Sequence, residues 1–126
     1  MDPMLQKAVD ILGGARRVLA ITGAGISADS GLPTYRGIGG LYDSAHTEDG
    51  IAIEEALSGE MMRSRPALCW KYIHQIESSC RGAQPNAAHR ALAAMQDRYE
   101  RFTVLTQNID GFHHAAGSRD LIEIHG

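Results

Sequence analysis

Positive charge, cysteine and long apolar runs are all scarce in this chain, and each shortage removes a class of protein. Lys and Arg number 12 against 15 Asp and Glu, a formal net charge of −3. Non-specific nucleic-acid binding needs a basic face, so no direct nucleic-acid partner is expected. The two cysteines, Cys69 and Cys80, form no Cys-x-x-Cys pair. That is neither a zinc-binding spacing nor the disulfide framework of a small secreted domain. No apolar stretch approaches the roughly 20 residues of a membrane span. Met1-Asp2-Pro3-Met4 is not the basic region and apolar run of a signal peptide. A soluble cytoplasmic protein with no membrane partner is the expectation. What is present suits a packed core: 126 residues, 44% hydrophobic and 21% charged, the length of one ordinary domain. Repeats, low-complexity tracts and linkers are not seen, so residues 1–126 are read as one domain.

Periodicity then supplies the elements. Residues 3–13 predict a short helix, with Leu5, Val9 and Leu12 at helical spacing and Gly13-Gly14 as the stop. Arg17–Thr22 (RVLAIT) is a β-branched apolar run and predicts a buried strand. One or two helical turns follow over residues 24–30. Residues 31–50 are rich in Gly, Pro, Tyr, Asp and Ser without a period, and a stretch of that kind inside a compact domain is usually functional. Helices are expected over 51–57, over 66–79 with Cys69, Ile73, Ile76 and Cys80 on one face, and over 85–98 with Ala88, Ala91, Leu92 and Met95 on one side. Arg101–Thr106 (RFTVLT) and residues 121–124 are the second and third strand candidates. Strands separated by helical segments predict an α/β fold, a Rossmann-like parallel sheet with helices on both faces.

A cluster of glycine or polar residues follows each strand: Gly23-Ala24-Gly25, Gln107-Asn108-Ile109-Asp110-Gly111, and His125-Gly126. Ligands of open parallel sheets bind beyond the carboxyl ends of the strands, so the three clusters would crowd one rim. Gly23-x-Gly25-x-x-Ala28 has the spacing of a pyrophosphate-binding turn, where glycines admit the phosphates and a helix N-terminus favours the anion. The same glycines also suit a tight strand-to-helix turn needed for geometry alone. A dehydrogenase would next show a strand ending in an acid; Asp43 has the distance but lies in the Gly/Pro-rich loop. Arg36 in that loop could clamp a phosphate or be a solvated loop arginine. The amides and acid of the second cluster can bond ribose hydroxyls or a carboxamide, or simply form a turn.

Six histidines are present. His113-His114 lacks the helical i, i+4 spacing of a metal pair, and no acid cluster supports a metal site. His89 reads as a packing or capping residue. His125 differs, because it ends a strand on the presumed rim, where an imidazole can act as a general base near neutral pH.

Taken together, these residues resemble the sirtuin family. The segment running from Gly23-Ala24-Gly25-Ile26-Ser27 through Ser30-Gly31-Leu32-Pro33-Thr34-Tyr35-Arg36 resembles the family's GAGIS…SGIPDFR cofactor segment. Pro85-Asn86-Ala87-Ala88-His89 resembles PNxxH, Thr106-Gln107-Asn108-Ile109-Asp110-Gly111 with Phe112-His113-His114-Ala115-Ala116-Gly117 resembles TQNIDxLHxxAG, and Glu123-Ile124-His125-Gly126 resembles E-[LI]-HG. The resemblance implies an NAD-dependent protein-lysine deacylase that consumes NAD as co-substrate. Its partner would be an acylated-lysine protein or peptide, its products free lysine, nicotinamide and an O-acyl-ADP-ribose. It places His125 as the catalytic base, Gly23, Ala24 and Gly25 along the phosphates and Arg36 near them. Ile26, Ser30, Pro33 and Ile109 would wall the nicotinamide pocket, with Gln107, Asn108 and Asp110 on ribose and carboxamide. Ser27, Thr34 and Tyr35 belong to the same cofactor segment, and Thr34-Tyr35 replace the usual Asp-Phe. Members preferring negatively charged acyl groups carry a Tyr-x-x-Arg pair that falls here on Ile73 and Ile76, which implies acetyl or another apolar acyl group. The family continues past the histidine into a zinc module with two cysteine pairs and further strands. The expectation is therefore a sirtuin core truncated at its C-terminus, with no zinc ligands in this chain. An NAD hydrolase or ADP-ribosyltransferase, or an inactive NAD-binding fragment, are the alternatives.

Overall fold

The computed structural model describes residues 1–32 and 46–126. They form two compact units, Met1–Ser27 with Gln84–Gly126, and Ala28–Ala83. The expectations placed on Pro33, Thr34, Tyr35, Arg36 and Asp43 lie outside the described residues.

The first unit is built on a parallel sheet of strand order β1-β2-β3. β1 (Arg17–Thr22) and β2 (Arg101–Thr106) pair over their whole length, from Arg17↔Arg101 to Thr22↔Thr106. β3 (Leu121–Glu123) lies on the other side of β2, with Thr106 opposite Glu123. The parallel α/β arrangement expected from the strand spacing is therefore the one found. β2 is central, with Phe102, Val104 and Thr106 buried. β1 is not the buried strand its composition suggests. Leu19 and Ile21 are 57% and 67% exposed. Alternate residues of a strand face opposite sides of a sheet, and in register Leu19 and Ile21 share a face with Ile122, itself exposed. An all-apolar run cannot reveal which of its faces is covered.

Helix α1 (Pro3–Gly14) starts where Pro3 fixes the first turn and the Asp2 carboxylate accepts the Met4 N–H at 2.7 Å. The single turn α2 (Ala24–Ser27) follows β1 directly. After the second unit the chain returns to this one in α6 (Ala87–Met95). It opens with a capping box: Asn86 Oδ1 accepts the Ala88 N–H (2.9 Å) while His89 Nδ1 accepts the Asn86 N–H (3.1 Å). Its buried residues are His89 and Ala93, whereas Ala88 and Ala91, expected on the inner side, are exposed. The apolar count missed this because a satisfied histidine forms the middle of the inner face. α7 (Phe112–Ala116) has no counterpart among the elements expected from periodicity, because five residues are too few to show a period. Gly111 (φ 72°) and Gly117 (φ 103°) bound it in left-handed conformations that glycine adopts without strain.

In the second unit, α3 (Ile53–Ala56), α4 (Gly59–Ser64) and α5 (Pro66–Cys80) enclose Ile53, Ala56, Met61, Leu68, Cys69 and Tyr72. α4 has no counterpart among the expected helices; Ser58 caps it by accepting the Met61 N–H at 3.1 Å. α5 turns a slightly different face inward than expected: Leu68, Cys69 and Tyr72 are buried, and Ile76 and Cys80 only half so. The Tyr72 hydroxyl donates to Asp49, which also takes Lys71 Nζ at 2.7 Å. Those two hydrogen bonds, that of Lys71 foremost, hold the Asp49 carboxyl below the usual carboxylate range. Ile53 is 2% exposed at the centre of this cluster. Ile53→Ala is expected to destabilise the unit by about 2–5 kcal/mol, read by urea unfolding through the single tryptophan, Trp70 on α5. An unchanged midpoint would show that this cluster is not the core.

Candidate functional site

The carboxyl ends of β1 and β2 are joined before either cluster begins. Thr22 and Thr106, partners in register, place their hydroxyl oxygens 2.8 Å apart. The Gln107 N–H donates to the Thr22 carbonyl at 3.1 Å and carries the pairing one step further. Asn108 then crosses between the clusters. Its amide N–H donates to Thr106 Oγ1 (3.1 Å), and its side-chain nitrogen donates to the Gly23 carbonyl (2.9 Å) and to Ser27 Oγ (3.4 Å).

Ser27, 2% exposed, is the hub of the second half of this network. Its hydroxyl donates to Asp110 Oδ2 at 2.6 Å and faces His89 Nε2 at 3.3 Å. The capping bond fixes the direction of this contact. His89 Nδ1 accepts from a backbone N–H, so the neutral ring carries its proton on Nε2 and donates to Ser27. Ser27 Oγ thus accepts two hydrogen bonds and donates one, the full capacity of a hydroxyl. Asp110 Oδ1 takes the Phe112 N–H (3.0 Å), and Asn86 Nδ2 donates to the Ile26 carbonyl (2.7 Å).

Neither Gly23 nor Gly25 has a positive φ. A Cβ at Gly25 would meet nothing within 4 Å, and one at Gly23 only Gln107 Nε2 at 4.0 Å. Turn geometry and internal packing therefore do not require glycine at these positions. Backbone left bare on an exposed rim suits the close approach of an outside group, as a pyrophosphate would need. α2 is a single turn, so its N-terminus offers a few backbone N–H groups rather than a long helix dipole.

The first two clusters are thus brought together. His125 reaches the same rim through β3, where the Ile124 N–H donates to the Thr106 carbonyl at 3.1 Å. It does not end the strand, as expected, but sits exposed in the turn one residue beyond Ile124. Ala24, Gly25, Gln107 and Ile109 are also exposed. Ser30 closes the 3-10 turn Ala28–Ser30, which belongs to the second unit. Four residues of the network carry no site role in the sequence motifs, Thr22, Asn86, His89 and Thr106, and His113, whose Nε2 lies 2.8 Å from Thr22 Oγ1, is a fifth. The signals were a threonine closing both long strands, and a histidine three residues after the Asn86 cap. Among the described residues, no group of three or more His, Cys, Asp and Glu could hold a metal ion. A cleft of about 340 Å³ lies at the other end of the ladder, beside Arg101 and Asp120. Those two charges pair with each other at 3.1 Å, far along the strands from all three clusters, so the cleft contributes nothing to the rim.

A parallel α/β sheet with its polar groups gathered beyond the strand ends is the architecture of proteins that bind ligands at that rim. Residues 23–126 match the Sir2 family model, and the chain belongs to the Sir2 family, the sirtuins. NAD-dependent protein deacylase 2 of Pseudomonas syringae pv. tomato is 59% identical over 98% of this chain and 50% of that protein. A solved structure described as "Structural Basis for the Mechanism and Regulation of Sir2 Enzymes" superposes with a TM-score of 0.82 at 37% identity, covering 100% of this chain and 47% of that one. A Sir2 protein with a deacetylated p53 peptide and 3′-O-acetyl-ADP-ribose gives 0.80 at 31% identity, covering 95% and 46%. The chain spans about half the length of the curated relatives it matches.

His89 and His113 are buried, at 0% and 2% exposure. Burial pushes both imidazoles below the ordinary 6.5, and neighbouring His89 pushes His113 further down, against the opposing charges of Asp110 and Glu123. The unfolded chain therefore takes up protons near pH 6.5 that the folded chain still refuses. Stability should be greatest above about pH 6.5 and fall as the pH drops below it. Urea unfolding at pH 7.5 and 5.5 checks this, and His113→Gln should flatten the slope. A His113→Gln variant with the full wild-type slope would remove His113 from the account.

Proposed function

We propose that this chain forms the NAD-binding half of an NAD-dependent protein-lysine deacylase, acting on acylated-lysine proteins or peptides in the cytoplasm. The observation that carries the reading is the hydrogen-bonded union of the Gly23 and Asn108–Asp110 clusters into one rim, with bare backbone at Gly23 and Gly25. NAD, when bound, supplies an ADP-ribose unit that receives the acyl group as nicotinamide departs. Gly23, Ala24 and Gly25 would admit its phosphates. Gln107 is free of the buried network at its exposed side chain and would reach ribose or carboxamide, and Ile26 and Ile109 would give the nicotinamide an apolar wall. Asn108 and Asp110 would stand beside ribose and carboxamide, on a backbone that their bonds to Ser27 and Gly23 hold in place before the cofactor arrives. His125 is the proposed base that takes a ribose hydroxyl proton. Ser30, Pro33, Thr34, Tyr35 and Arg36 would complete the cofactor segment. The relative bound to a deacetylated peptide and 3′-O-acetyl-ADP-ribose supports an acyl group that ends on ADP-ribose. Ile73 and Ile76, in place of a Tyr-x-x-Arg pair, favour acetyl or another apolar acyl group.

Because the chain spans half of its relatives, the test joins residues 1–126 to the remaining half of the Pseudomonas syringae relative. Nicotinamide release from NAD should require an acetyl-lysine peptide and fall by about 100-fold or more in His125→Ala, the range for loss of a general base. Release without peptide would make the protein an NAD hydrolase, and binding of NAD without any release would overturn the catalytic reading.

A further inference from the structure

Behind the rim runs a second polar path, which the proposed chemistry does not use. His113 on α7 is 2% exposed, and its Nε2 lies 2.8 Å from Thr22 Oγ1. Thr22 Oγ1 lies 2.8 Å from Thr106 Oγ1, which accepts the Asn108 N–H at 3.1 Å. The Asn108 side chain returns to the carbonyl of Gly23, the residue after Thr22, at 2.9 Å. Thr22, Thr106, Asn108 and Gly23 therefore form a closed ring, anchored from behind by one imidazole.

The protons in this path can be assigned. If Thr22 donates to Thr106, it must accept from His113, whose neutral ring then carries Nε2–H and leaves Nδ1 as an acceptor. The reverse direction requires Nδ1–H. His113 Nδ1 is buried and has no hydrogen-bond partner among the described residues. An orphaned buried donor is the rarer and costlier state, because an acceptor tolerates under-satisfaction better than an N–H. The Nε2–H form follows.

We infer that His113 is a positioning residue of the cofactor rim: as the neutral Nε2–H tautomer it orients the Thr22 hydroxyl, and through the threonine pair it sets where Gly23 and Asn108 stand. It touches no cofactor atom itself. The consequence for NAD rests on the proposed function, whereas the consequence for the rim does not.

Two readouts separate these. Imidazole nitrogen shifts report the tautomer without ligand, and the Gly23 amide and Asn108 side-chain amide resonances report the rim. Thr22→Val removes the hydroxyl at constant shape and Thr22→Ser restores it; His113→Leu removes the donor and His113→Gln keeps an N–H in its place. The expected result is an Nε2–H ring in the wild type, displaced Gly23 and Asn108 resonances in Thr22→Val and His113→Leu, and near-wild-type positions in Thr22→Ser and His113→Gln. NAD affinity should fall about tenfold in the first pair, the size of one net hydrogen bond, and by less than about twofold in the second. An Nδ1–H ring, or Thr22→Val with wild-type resonances at Gly23 and Asn108, overturns the inference. Resonances that move as stated in a protein that does not bind NAD uphold the positioning role and overturn the NAD reading instead.

Discussion

The register of β1 against β2 is the constraint on which the rest of the first unit depends. Six residues pair without a bulge, and the last pair is Thr22 with Thr106. A slip of one residue would turn Val104 and Thr106 to the opposite face and separate the two hydroxyls. It would also carry Asn108 away from the Gly23 carbonyl. Parallel strands cannot be joined by a tight turn, and the chain between these two contains the whole second unit together with α6. The site is thus assembled from segments about 85 residues apart, as the Thr22–Thr106 and Gly23–Asn108 bonds record. Pairing along the strands, rather than local sequence, brings them together.

Polar groups buried beside such a ladder destabilise unless each finds a partner. Here, His113 Nδ1 apart, the partners are one another. Ser27 uses all its hydrogen-bonding capacity on His89, Asn108 and Asp110. His89 spends one nitrogen on the cap of α6 and the other on Ser27, so the start of that helix and the glycine turn are tied through a single ring. Its edge also meets Phe112 and His113, with centroids 5.4 and 5.0 Å away. Two neutral imidazoles can share this space because burial keeps both uncharged. A network closed in this way has few alternative arrangements, and that rigidity is what a site needs if its dipoles are to be set before a ligand arrives.

The strands were legible in the sequence because short β-branched runs ending in glycine or amide clusters have few other uses; Arg17–Thr22 and Arg101–Thr106 stand where composition placed them. The common rim was legible for the same reason, since parallel strands put their carboxyl ends together. The faces were less so. An apolar run such as RVLAIT hides that Leu19 and Ile21 stay exposed, and helix α6 buries a histidine that an apolar count leaves out. The short helices α4 and α7 fall below the length at which a period shows. Inside the site, Ser27, Asn108 and Asp110 could be named from their motifs, but their partners could not. A threonine closing a strand or a histidine after an Asn cap has an ordinary structural use, and only distances show that both serve the rim.

Those distances also divide the rim by depth, and the division bears on function. Ser27, His89, Thr106 and His113 are buried and engaged with the fold. Ala24, Gly25, Gln107, Ile109 and His125 are exposed on the same strand ends. Chemistry on an outside molecule needs groups that the fold has not already consumed, and in the proposed function it is the second set that supplies them. Ile109 sharpens the point. It is 74% exposed between Asn108 and Asp110, both of which are held by internal hydrogen bonds. The neighbours fix its backbone while its side chain gains nothing from the core. A single exposed isoleucine is unremarkable on a surface; one pinned on both sides at the mouth of a polar rim is available to cover a flat apolar ring. The nicotinamide wall of the proposed function asks for that combination, a side chain free of the core on a backbone that is not free to move.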